Sequence, residues 1–120
     1  MEDIILNKIR TFIYDNGWGY TLPFPLFFKK KKITRDTTLV QDLKIDGDDS
    51  EEFLLAFSKE FSVDVSKLPL EEYFGDEGDV ILLEIIKFFN KKKKKKKILT
   101  VGHLEKAIVA GRLDEEVIGA

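Results

Sequence analysis

The segment spanning residues 37–65 constrains the fold more than any other part of the chain. Within it, Leu54, Phe57 and Phe61 recur at the spacing of one helical face. This spacing predicts a helix that buries an apolar face, with Phe53 at the edge of that face.

The predicted helix opens with a cluster of acidic residues. Asp48 and Asp49 each precede a glutamate, Glu51 or Glu52, by three residues, which is the spacing of a capping box. We therefore expect the helix to begin near one of these aspartates, capped by its side chain. Gly47, just before them, suits a tight turn into the helix.

Residues 37–65 resemble the central part of an acyl carrier protein. The positions in register with that family are Asp42, Leu43, Asp46, Asp49, Glu52, Ala56 and Phe61. The family's Asp-Ser-Leu motif, whose serine carries phosphopantetheine, reads Asp46-Gly47-Asp48 here. Because glycine has no hydroxyl, the resemblance implies a carrier scaffold that binds no cofactor.

The resemblance extends over the first helix and over residues 98–109, with insertions at about residues 17–33 and 75–97. It implies a mainly all-α fold, an acyl-carrier-like bundle of about four helices in a single domain of residues 1–120. The longer, serine-lacking form with an Asp-Gly-Asp-Asp motif is similar to an uncharacterised bacterial family of carrier-like proteins, the DUF1493 type.

The same resemblance implies a binding function. In carrier proteins the helix after the serine presents acids to basic patches on partner proteins, which guides their encounter. The residues that match this docking surface are Asp46, Asp48, Asp49, Glu52 and Leu55. Ser58 and Lys59 depart from the pattern, since acids are usual there. We expect a monomeric, non-catalytic module that docks on a protein with a basic patch.

Two alternatives stay open. A genuine phosphopantetheine carrier would have to be modified at Ser50, about one helical turn after Gly47, where a simple first-turn serine is the plainer interpretation. A run of seven lysines from Lys91 to Lys97 suggests weak binding to nucleic acid or another anionic surface. A solvated loop is the plainer interpretation of that run.

The net charge of −2 hides a strong segregation of charge. Eleven of the 20 basic residues lie in two lysine runs, at residues 29–32 and 91–97. The rest of the chain has nine basic and 22 acidic residues, a formal charge of −13. Such an acidic body repels polyanions, which argues against nucleic acid as a partner.

No catalytic or metal-binding constellation is visible. The chain has no cysteine, and His103 is its only histidine, so no typical zinc site is expected. A calcium loop counted from Asp42 fails because Lys44 and Phe53 occupy ligand positions. We expect His103 to be exposed. The amphipathic start of the chain and the absence of a long apolar run predict a cytoplasmic protein with no membrane span.

Two further helices are predicted at the ends of the chain. Ile5, Ile9, Phe12 and Ile13 form an amphipathic stripe, which we expect the glycines at positions 17 and 19 to end. The prolines that follow favour an extended loop.

Thr100 is the predicted N-cap of the last helix, with Leu99 and Leu104 spaced as a hydrophobic staple and Gly111 as its C-terminal stop. Leu104 and Ile108 are expected to point inward. Residues 80–89 fit either a helix or a strand.

Overall fold

The computed structural model describes residues 2–21, 29–74 and 97–119, and these residues are mainly helical. Their helices are α1 (Glu2–Asp15), α2 (Asp48–Phe61), α3 (Leu70–Tyr73), α4 (Val101–Ala110) and α5 (Glu115–Gly119). A short antiparallel pair joins β1 (Tyr20–Thr21) to β2 (Lys29–Lys30). The predicted mainly α class is confirmed, while the assignment of one domain to residues 1–120 stays a prediction.

The amphipathic stripe of α1 is confirmed. Ile9 and Ile13 are fully buried and Phe12 nearly so, while Ile5 is partly buried. The helix ends where predicted, because Gly17 follows with a positive φ of 88° that favours glycine.

The buried face of α2 is an aromatic cluster. Phe53 and Phe57 are fully buried, and the Phe53 ring lies 5.6 Å from that of Phe12 and 5.0 Å from that of Trp18. Phe53, which was predicted at the edge of this face, is as fully buried as Phe57. Phe61 is only partly buried, because each step of four residues rotates a helix by about 40° beyond a full turn.

The predicted extended loop after α1 is partly a hairpin. Tyr20 pairs with Lys30, and the Lys31 N–H donates to the Gly19 carbonyl at 2.7 Å. The prediction missed this pairing because a two-residue strand has no detectable alternation of apolar and polar residues. Residues 22–28, with all the prolines of the predicted loop, lie outside the described residues.

A junction of residues 35–39 with residues 99–102 fixes the chain between α1 and α2 against the start of α4. The Leu39 N–H donates to the Leu99 carbonyl, and the Val101 N–H donates to the Thr37 carbonyl, both at 2.9 Å. Leu39, Leu99 and Val101 are all buried. The junction therefore sets where α2 begins relative to α4.

The last described segment begins at Lys97 and carries the predicted last helix, α4. Thr100 caps it and Gly111 ends it with a φ of 81°, both as predicted. Leu104 is fully buried and Ile108 is partly buried against the core, so both point inward.

Helix α5 was not predicted. The Val117 N–H donates to Asp114 Oδ1 at 2.9 Å, which is the pattern of a capped first turn. The predicted element at residues 80–89 lies outside the described residues. None of the helices in the described ranges has the length and apolarity to cross a bilayer.

Candidate functional site

Helix α2 begins in a glycine turn. Gly47 is its N-cap, with φ 57° and ψ −132°, and the Asp49 N–H donates to the Asp46 carbonyl at 3.1 Å. These angles match the first central position of a type II′ turn, which glycine dominates. No side chain caps the helix, so the predicted aspartate cap is wrong, although the predicted start near Asp48 or Asp49 is confirmed. The backbone turn takes the place that a capping carboxylate would have filled.

Ser50 faces inward from the first turn of α2. Its side chain is 3% exposed, and its Oγ donates to the Gly47 carbonyl at 2.6 Å. The hydroxyl therefore holds the start of the helix, as expected of a plain first-turn serine.

The opposite side of α2 combines acids with an exposed apolar side chain. Leu55 is 61% exposed. At about 100° per residue, Asp48, Glu51 and Glu52 lie within about 60° of it around the helix. We call these four residues the acidic face, and all four are exposed. Glu51 was not among the predicted docking residues, although its spacing of four from Leu55 was the signal for it.

The other predicted docking residues lie away from the acidic face. Asp49 is exposed, but about 120° around the helix from Leu55. Asp46 precedes the helix, is partly buried and borders a cavity of about 150 Å³ together with Tyr73 and Lys97. The structure therefore brings Asp48, Glu52 and Leu55 together and separates Asp46 and Asp49 from them.

The four acids at the start of α2 have no partner in the described part of the chain. Within residues 2–21, 29–74 and 97–119, the carboxylates of Asp48, Asp49, Glu51 and Glu52 form no hydrogen bond or ion pair. Asp42 differs, because its Oδ2 accepts from the Thr38 N–H at 2.8 Å. This hydrogen bond, ahead of the one from the Thr38 hydroxyl, lowers the pKa of Asp42. Asp42 is thus a structural residue of the preceding turn.

A second concave surface was not predicted from the sequence. It is a groove of about 730 Å³ formed by α1, the junction, α4 and α5. Its lining includes Arg35, whose Nε lies 2.9 Å from a Glu105 carboxylate oxygen, and Arg112, whose Nη2 donates to Glu116 at 3.1 Å. Of these two contacts, only the one between Arg112 and Glu116 could have been predicted from the sequence, by its spacing of four. Arg35 and Glu105 are far apart in the chain and are brought together by the fold.

His103 lines the same groove and is partly buried, so its predicted exposure is wrong. Its Nδ1 accepts from the Thr100 N–H at 3.0 Å, which completes a capping box. Burial, and to a smaller extent the charge of Lys106, lowers the pKa of His103. A histidine at the third position of the helix replaces the usual glutamate or glutamine of this motif.

Of the two lysine runs, residues 29–32 are described, and the second run is described only at Lys97. Residues 91–96 lie outside the described residues, whereas the Lys97 ammonium contacts Glu72 at 2.8 Å and also contacts Glu115. The Lys97 ammonium donates a hydrogen bond to each carboxylate, and these bonds, the one to Glu115 first, raise the pKa of Lys97. Lys97 therefore ties α3 to α5. In the described part of the chain, no group of three or more histidine or acidic side chains is placed to hold a metal ion.

Comparison with known proteins gave one match. The family model described as "Protein of unknown function (DUF1493)" matches residues 2–114. This confirms the DUF1493 resemblance, while the likeness to acyl carrier proteins stays a prediction. Neither the curated proteins nor the solved structures gave a match.

Proposed function

We propose that this chain, which belongs to the DUF1493 family, is a non-catalytic, carrier-like module that docks on a protein partner through the acidic face of α2. The partner presents a basic patch around an apolar pocket. Electrostatic attraction guides the encounter, and burial of the exposed side chain at the interface contributes to affinity. We further propose that the module acts as a monomer in the cytoplasm.

The observation that carries this proposal is the position of Leu55. A leucine that is 61% exposed lies beside three carboxylates that have no ion pair among the described residues. An apolar centre with a charged surround is the usual arrangement of a protein interface. Phe53 and Phe57 anchor the opposite side of α2 in the core, so the acidic face is held on a rigid helix.

The start of α2 supports a module without a prosthetic group. Gly47 offers no hydroxyl, and its backbone angles are unfavourable for serine. The alternative attachment point, Ser50, is 3% exposed and its hydroxyl is bonded to the Gly47 carbonyl. A transferase would have to unfold the first turn of the helix to reach it. A mass increase of one phosphopantetheine, mapped to Ser50 after incubation with coenzyme A and a transferase, would contradict the proposal.

The charge-reversal test uses two variants with the same change in net charge. The first replaces the acidic face: Asp48→Lys, Glu51→Lys and Glu52→Lys. The control replaces three exposed acids elsewhere: Asp15→Lys, Asp49→Lys and Glu60→Lys. Asp49 and Glu60 belong to the same helix but lie about 120° and 140° around it from Leu55. The first variant changes two acids in the first turn of α2, Asp48 and Glu51, and the control changes one, Asp49, so the first variant should lose more of the stabilisation from the helix dipole.

The readout is the set of proteins that each immobilised variant retains, followed by the affinity of the identified partner for each purified variant. We expect loss of that partner with the first variant and retention with the control. Binding of the native chain should weaken as salt rises, because exposed charges are screened. Equal retention by both variants would remove α2 as the docking face. Circular dichroism and thermal melting check that both variants fold.

A further inference from the structure

The start of α4 is held by a reciprocal pair of hydrogen bonds. The His103 N–H donates to Thr100 Oγ1 at 3.3 Å, and the Thr100 N–H donates to His103 Nδ1 at 3.0 Å. A ring nitrogen that accepts a hydrogen bond carries no proton, so the imidazole is neutral with its proton on Nε2. Unlike the glutamate or glutamine usual at this position, an imidazole gains a proton near neutral pH.

Thr100 also lies at the centre of the junction. It is paired with Thr38 in an isolated antiparallel bridge, flanked by the bonds from Leu39 to Leu99 and from Val101 to Thr37. In such a non-hydrogen-bonded pair, the N–H groups of both residues point away from the partner strand. The Thr100 N–H therefore depends on His103 for its acceptor.

Close packing continues on the helix side of the junction. The Gly102 N–H donates to the Arg35 carbonyl at 2.8 Å, and a Cβ at position 102 would lie only 3.1 Å from that oxygen. A small displacement of the first turn of α4 would therefore break contacts with residues 35–37. The capping box and the junction form one structural unit.

We infer that His103 is an acid-sensitive latch: protonation of Nδ1 removes the acceptor of the Thr100 N–H and loosens the junction between residues 35–39 and the start of α4. The released segments form one wall of the groove that Arg35, Thr100 and His103 line. Acidification thus changes the shape of this groove.

The charged groups that line the groove with His103 are balanced in sign. The junction contributes Arg35 and Asp36, α4 itself contributes Glu105 and Lys106, and the C-terminal segment contributes Arg112 and Glu116. Three cations therefore oppose three acids, of which Arg35 pairs with Glu105 and Arg112 pairs with Glu116. The positive end of the helix dipole adds a further cost to an imidazolium in the first turn.

The direction of the pH effect follows from the lowered pKa of His103. A histidine that stays neutral in the fold is protonated first in the unfolded chain, where its pKa is about 6.5. The stability that its neutral form contributes is complete above that value. It is lost progressively as the pH falls towards the lower pKa of the folded state.

The test uses the full chain and its single histidine, which gives one set of imidazole resonances. We expect the Nε2-protonated tautomer at about pH 7.5 and a titration midpoint below that of free histidine. Between about pH 7.5 and pH 5, we expect local opening at the Val101 and Gly102 amides to rise about fivefold, the usual effect of losing a cap. Hydrogen exchange, corrected for the intrinsic pH dependence of amide exchange, measures this opening.

Two variants decide the cause of the change. His103→Gln keeps a capping side chain that does not titrate here and retains every neighbouring carboxylate, so the pH step at both amides should disappear. His103→Ala lacks the acceptor at every pH, so both amides should open at about pH 7.5 about as readily as in the acidified native chain, with no further pH step. Three outcomes would overturn the latch. They are a pH step in amide opening of native size in His103→Gln, no such step in the native chain, and a titration midpoint of His103 at or above that of free histidine.

Discussion

Helices α2 and α4 begin in opposite ways. The start of α4 uses two polar side chains, Thr100 and His103, in a reciprocal cap. The start of α2 has four acids in its first five positions, yet Gly47 forms its N-cap with no side-chain hydrogen bond. The difference lies in the backbone: an extended Thr100, with φ −115°, directs its side chain over the helix end, whereas Gly47 takes a positive φ.

Because of this difference, the polar side chains at the start of α4 have a structural role, whereas the carboxylates at the start of α2 remain available for binding a partner. The Thr100 and His103 side chains are occupied in the fold, so changing them should alter stability. The carboxylates of α2 contribute mainly through the helix dipole and stay exposed. A helix held by its apolar face and a backbone turn can therefore vary its exposed acids with little effect on folding. This freedom is what a docking surface requires.

The largest effect should come from the apolar face of α2. Phe53→Ala removes a fully buried ring that contacts Phe12, Trp18 and Phe57. We expect the free energy of unfolding to fall by about 3–5 kcal/mol in denaturant titrations. The matched control on the same helix is Leu55→Ala, which should change stability by about 0.5 kcal/mol or less because that side chain is exposed. Similar losses for both variants would show that α2 is not held by this face.

An intermediate effect should come from the glycine turn. Gly47→Ser places a hydroxyl where the proposed likeness to carrier proteins would put their serine, but it forces a side chain into a backbone region that disfavours it. We expect a loss of about 1–3 kcal/mol. Intact mass should stay unchanged after incubation with coenzyme A and a phosphopantetheinyl transferase.

Asp48→Ser is the control for the glycine variant, since it places a hydroxyl at the next residue, which has no positive φ. It should be nearly as stable as the native chain. Native stability of Gly47→Ser would mean that the turn does not require glycine, and the contrast between the two helix starts would be lost.

The smallest losses of stability are expected from single polar side chains at the two helix starts, and they compare the starts directly. Thr100→Ala removes a side chain that accepts the His103 N–H, and we expect a loss of about 1 kcal/mol. Asp49→Ala removes an exposed acid that has no hydrogen bond or ion pair among the described residues and acts through the helix dipole. In high salt the loss should be about 0.3 kcal/mol or less. Thermal unfolding of both variants in the same buffer checks this order. Equal losses would indicate that Asp49 caps α2 after all.

Local sequence patterns predicted the elements whose causes are local. The stripe of α1, the Thr100 cap and the Gly111 stop depend on residues a few positions apart, and each was confirmed. The cap of α2 was predicted wrongly for a related reason. Both an aspartate cap and a glycine turn fit the residues around Asp48, and the sequence does not say which backbone turn precedes the helix.

The docking role of the acidic face stays a prediction. The resemblance assigned Asp48, Glu52 and Leu55 to one surface, and the structure places all three on one exposed side of α2. Asp46 was assigned to this surface by resemblance. Its position depends on the loop that leads into α2, and there Asp46 borders a cavity instead.

What the sequence by itself determined is the periodic part of the protein: a mainly helical chain, an aromatic face on α2 and acids on its exposed side. The tertiary structure decided which polar groups are used inside the fold. Arg35 meets Glu105 70 positions away, and Thr38 pairs with Thr100 across a similar distance. Contacts of this kind leave no periodic trace, because they depend on how the core aligns segments that are far apart in the chain. The same alignment turned His103 from a presumed surface residue into the partner of a backbone amide.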